Sequence, residues 1–152
     1  MLQGSCKRIG ILMASFAIAF LAAGCGTSME TITFSPGKKP VVVTLDSRDS
    51  FSLSNAGGTI LVRQKGKIML QGAFITKDIF EQTKAKLHET NLVTIYQEEA
   101  ERVVYDQVGP KGVESRFLLR ISDTDTYVLF ASWLPREAAE RVLDKLSFKE
   151  GD

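Results

Sequence analysis

This sequence has little of several things that specialised chemistry requires. It has one histidine, two cysteines, one tryptophan and four prolines in 152 residues. A single imidazole and two distant thiols exclude a zinc finger, a Cys–His cluster and a disulfide framework. No excess of either charge is present, because 19 Lys+Arg face 18 Asp+Glu. A nucleic-acid binder would show a basic stripe, so no nucleic-acid partner is expected. No Pro/Ser-rich linker and no low-complexity tract divides the chain, and the length suits one domain.

The first 24 residues read as a segment apart from the fold. Lys7 and Arg8 form a short cationic start, and Ile9 to Gly24 is a charge-free run. A membrane span needs about 20 apolar residues, and this run is shorter. Its length, its cationic flank and the small residues at its end are those of a secretory signal. An ordinary secretory signal and an uncleaved anchor are the alternatives. The run stops in Leu21-Ala22-Ala23-Gly24-Cys25.

That pentapeptide resembles the lipobox of bacterial lipoprotein precursors. The resemblance implies that the Cys25 thiol receives a diacylglycerol and that signal peptidase II cuts before Cys25. The new amino group is then usually acylated. Leu21, Ala22, Ala23 and Gly24 would be the peptidase recognition residues, with small side chains that let the enzyme approach the backbone. The family commonly has Leu at the position of Ala22, and alanine is tolerated there. Gly26 follows the cysteine where Asp would favour inner-membrane retention. An outer-membrane destination facing the periplasm is therefore implied, if the organism has two membranes. Several acyl chains make a stable anchor, since each buried methylene contributes about 0.8 kcal/mol.

Three segments follow from this reading: a cleaved signal (1–24), a lipidated cysteine with a short tether (25–30) and a single α+β domain (31–152). Removing the signal takes two cations and leaves 128 residues with 17 cations and 18 acids. The tether holds the domain close to the bilayer.

Within the domain, strand signals dominate. Val41 to Leu45 is β-branched, and Phe51 and Leu53 alternate with serines, the period-two pattern of a half-buried strand. Strands are expected at 59–64 and 67–75 around Lys65-Gly66, then at 91–98, 102–107, 117–121 and 126–132. Gly109 to Gly112 reads as a loop. Thr76 is a candidate N-cap for a helix over 77–88. Pro135 suits the start of a second helix over 135–147, whose apolar stripe is Ala139, Val142, Leu143 and Leu146. The fold class expected is α+β, one antiparallel sheet with two helices on one face. Leu61-Val62-Arg63 matches Leu118-Leu119-Arg120, and Phe74 to Asp78 matches Trp133 to Glu137. This reads either as a duplicated ββα unit or as the small grammar of hairpin–helix units.

Candidate chemistry is sparse, and neither a cofactor nor a metal is expected. His88 has no identifiable nucleophile partner and suits a helix C-terminus. Ser35 and Lys38 have the spacing of a serine–lysine pair, but Pro36 and Gly37 argue against the helix that pair requires. Asp123 and Asp125 read as turn residues, because a calcium site needs more oxygens. Glu98, Glu99 and Glu101 read as a solvated turn. The strand Tyr127 to Ala131 is apolar on both sides, as is Ile68-Met69-Leu70. Either the N-terminal strands cover the second face, or Met69, Val128 and Phe130 form a partner-binding face. The expected function is that of a non-catalytic, lipid-anchored binding or assembly accessory for another envelope protein. Binding of a small apolar ligand or lipid is the alternative.

Overall fold

A computed structural model describes residues 28–152. The lipobox residues Leu21 to Cys25 lie outside these described residues. Ten strands and two short helices run in the order β1 (Met29–Phe34), β2 (Val41–Asp46), β3 (Phe51–Ala56), β4 (Thr59–Gln64), β5 (Lys67–Ile75), α1 (Lys77–Lys86), β6 (Val93–Glu98), β7 (Arg102–Gly109), β8 (Gly112–Arg120), β9 (Tyr127–Ser132), α2 (Arg136–Leu143) and β10 (Leu146–Glu150). All strand pairings are antiparallel. The class is α+β, with strand predominating.

The strands form two sheets, not one. A seven-stranded sheet has the order β3-β4-β5-β9-β8-β7-β6, and a three-stranded sheet has the order β1-β2-β10. The small sheet lies on one face of the large one. Phe34, Val41, Val43 and Leu45 share a core there with Ile60, Val62, Phe117, Val128 and Phe130. Helix α2 closes the same face through Ala139, Val142 and Leu143. Alternation sends the intervening residues to the other face, where Val103, Tyr105, Leu118 and Tyr127 pack under Phe80 of α1.

The helices therefore lie on opposite faces of the large sheet, which corrects the expectation that they share one. The repeat fails for the same reason. A twofold axis exchanging the antiparallel neighbours β5 and β9 would stand perpendicular to the sheet and keep both helices on one side. The break comes after β9. Ser132 Oγ donates to the Met69 carbonyl at 2.6 Å and accepts the Leu134 N–H at 3.1 Å. This bend turns Leu134 onto the small-sheet core, so α2 starts there. Ile75, the residue matched to Leu134 in the repeat, packs instead toward α1.

Several boundaries also differ, two of them by more than two residues. The second helix ends at Leu143, and Leu146 opens β10 instead of extending the helical stripe. Leu146 and Phe148 satisfy a period of two as well as Leu143 and Leu146 satisfy a helical one. The choice is made by β2, which offers a free side: the Asp46 N–H donates to the Lys145 carbonyl at 2.9 Å, and β10 pairs along β2. Gly109 to Gly112 is not an open loop but a tight hairpin, with Gly109 opposite Gly112. Strand β8 consequently begins five residues before the expected 117.

Candidate functional site

The expected partner face is closed. Val128 and Phe130 are completely buried, and Met69 packs partly buried against the same core. Their face is filled by the chain's own small sheet, with the Phe130 and Phe148 rings 6.0 Å apart. Met69, Val128 and Phe130 thus form core, and this corrects the partner-face expectation. The N-terminal strands β1 and β2 supply part of the cover, and the C-terminal β10 and helix α2 supply the rest.

An open site is built instead at one end of the sheets, where four connections meet. The β1–β2 connection (35–40), the β3–β4 turn at Gly57-Gly58, the β5–α1 junction and the β8–β9 loop surround two adjoining clefts of about 730 and 640 Å³. The clefts share Pro36, Ile75 and Thr76. Their size is within the range of small-molecule sites. Phe34, Phe74, Ile75 and Ile79 line the smaller cleft. Phe34 and Phe74 stack tilted with centroids 5.4 Å apart. Ile79 is 47% exposed although it sits in the first turn of α1. The turn is fixed by Thr76, whose hydroxyl accepts the Ile79 N–H at 3.3 Å, so the sequence-predicted N-cap is present.

The larger cleft is rimmed by charge. Lys39 pairs with Glu150, and this carboxylate raises the Lys39 pKa above its ordinary value. Arg120 donates to the Thr124 carbonyl at 2.9 Å and to Glu101 at 2.7 Å, and lies 3.6 Å from Asp125. Thr124 is buried and locks its loop. Its hydroxyl donates to the Ile121 carbonyl at 2.9 Å and accepts the Thr126 N–H at 3.0 Å. Asp123 and Asp125 stand on that locked turn, Asp123 at φ 62°. Lys38 and Lys77 also line the cleft.

The other sequence candidates are dispersed. Ser35 lines the smaller cleft and Lys38 the larger, in a connection without helix. His88 follows α1 and faces Glu98 on β6, its Nε2 being 3.0 Å from the nearer carboxylate oxygen. Glu99 accepts from Gln97 at 2.7 Å, while Glu101 pairs with Arg120. The three glutamates thus serve three different partners. Among the described residues, no group of three His, Cys, Asp or Glu is placed to hold a metal ion. No helix among them is long and apolar enough to cross a membrane. The clefts themselves escaped sequence reading, because their lining residues come from four separate connections and the flanking strands and run from Thr33 to Glu150.

Comparison of the chain with protein-family models, curated proteins and solved structures finds no match.

Proposed function

We propose that this chain is a lipid-anchored, non-catalytic protein of the cell envelope that binds another envelope protein and helps to assemble or support a complex. The reading is carried by the polarity of the molecule. The described chain begins at Ser28, beside the turn that precedes β3: the Ser47 N–H donates to the Ser28 carbonyl at 2.8 Å. The clefts open at the opposite ends of β1 and β3. A domain anchored through acyl chains on Cys25 would present these clefts away from the bilayer, toward a partner in the aqueous space. In-cell crosslinking of the anchored chain, read by mass spectrometry, tests this. One dominant envelope partner, lost in both Cys25→Ala and Ile79→Asp, is the expected result. Recovery of the chain without a partner would sink the accessory reading.

The stacked Phe34–Phe74 floor favours a second reading, a small apolar ligand or lipid held in the smaller cleft. Native mass spectrometry of gently isolated protein distinguishes the two. A retained ligand displaced by Ile79→Asp supports the second reading, and a clean apo mass removes it.

A further inference from the structure

Exposed apolar side chains are not spread evenly over this molecule. Ile68, Leu92, Val108, Val113 and Trp133 are each about half exposed, and all five lie at one end of the seven-stranded sheet. Ile68 follows the β4–β5 turn, and Val108 and Val113 face each other beside the β7–β8 turn. Leu92 accepts the Val108 N–H at 2.8 Å. Trp133, the one tryptophan in the chain, is 56% exposed just past β9, next to Ser132, which bonds Met69. A monomeric domain has no packing reason to gather such residues at one end.

Cations gather at the turns of this end. Lys65 and Lys67 flank the β4–β5 turn, and Lys111 is in the β7–β8 turn. Among the described residues, none of the three is in an ion pair. Asp46, Asp49 and Glu114 are engaged by Arg48, Lys145 and Arg116, while, among the described residues, Asp106 accepts from Tyr96 and Ser115 without an ion pair and Glu89 lies apart, before Leu92. Three lysines outside any ion pair thus accompany the apolar residues beside Ile68 and between Val108 and Val113.

The described chain begins at this same end. Ser28 is bonded to Ser47, and the Lys65 N–H donates to Ser50 at the far side of the same turn. Met29 is 53% exposed there. Cys25 precedes Ser28 by three residues, a reach of roughly 10 Å when extended. Lysines, exposed aliphatic residues and a tryptophan are the composition that settles at a headgroup boundary.

We infer that this end, from the Lys65-Gly66 turn to Trp133, docks on the anionic lipid headgroups of the membrane that anchors the chain. The anchor supplies proximity, the lysines meet the lipid phosphates, and Ile68 and Trp133 insert at the boundary. The domain then stands in one orientation, with its clefts directed away from the bilayer. This inference rests on the lipid-anchor reading of Cys25.

Trp133 is its own probe. The full chain, purified from membranes, is reconstituted into phosphatidylcholine vesicles with and without phosphatidylglycerol, with brominated acyl chains as quenchers. Flotation and the intact mass report the anchor, and Trp133 emission reports docking. The expected result is quenched, blue-shifted emission in the anionic vesicles, relieved by high salt and by Lys65→Glu/Lys67→Glu, while the chain still floats. A chain that carries the acyl mass and floats, but whose Trp133 stays unquenched, overturns docking and leaves the anchor standing. A chain without the acyl mass overturns both. Blue-shifted emission that brominated lipid does not quench would place a protein on this end and would also overturn the inference.

Discussion

The Phe130 ring fills the space above Gly72 that a side chain would occupy. The two residues face each other across β5 and β9, and a Cβ at position 72 would overlap the edge of that ring. The ring cannot give way easily, because it is buried beneath Phe148 of the small sheet. Gly72→Ala should therefore destabilise the domain by about 1–3 kcal/mol through overpacking. Urea unfolding measures this, and a midpoint within error of wild type would show that the ring is free to move.

The burial of Val128 separates the closed face from an open one. Val128→Asp places an unpaired carboxylate between two sheets, a far larger cost than a surface change. The variant should lose its cooperative thermal transition. A variant that melts like wild type would reopen this face as a docking surface.

Ile79 should behave in the opposite way. It is exposed in the cleft, so Ile79→Asp should change stability by no more than about 0.5 kcal/mol. Partner capture or ligand retention should nevertheless fall. Intact capture by a folded Ile79→Asp protein would move the binding site elsewhere.

Ser132 is a small residue with a large structural role. It is buried, and its hydroxyl both donates to Met69 and accepts from Leu134. Ser132→Ala should cost about 1–3 kcal/mol, because the partner groups lose their bonds in a buried place. Amide exchange should accelerate at Leu134. Unchanged protection there would mean that the bend is held by packing alone.

Acid stability should report the turn before β3. Arg48 donates to Asp46 through its backbone N–H at 3.1 Å and its side chain at 2.8 Å, and these bonds lower the Asp46 pKa to about 2. A carboxyl unfolds with a pKa of about 3.9. The depressed folded value means that Asp46 stabilises the fold above about pH 4 and loses this contribution as pH falls through about 2. The difference in Tm between wild type and Asp46→Asn should be constant near neutrality and close over that acid window. A difference that does not vary with pH would show that the ion pair is not formed in solution.

The sequence by itself determined most of the local structure. Thr59 to Ile75 carries a hairpin because a tight Lys-Gly turn joins two β-rich runs, and Thr76 stops β5 by capping α1. These are choices settled within a few residues. Leu146 is the counterexample, since it suits two periods equally and only the open side of β2 decides between them. The faces were also settled at a distance. Nothing near Trp133 says that Leu134 will turn toward the small sheet, because that turn depends on a hydroxyl reaching Met69, 63 positions away in the chain. The same holds for the strand Tyr127 to Ala131. Its two apolar sides announced that both faces would be covered or used, and the tertiary structure assigned one face to the small sheet and the other to α1. The clefts and the lysine-rich end are likewise products of assembly, for each gathers residues that are neighbours only after the sheets have formed.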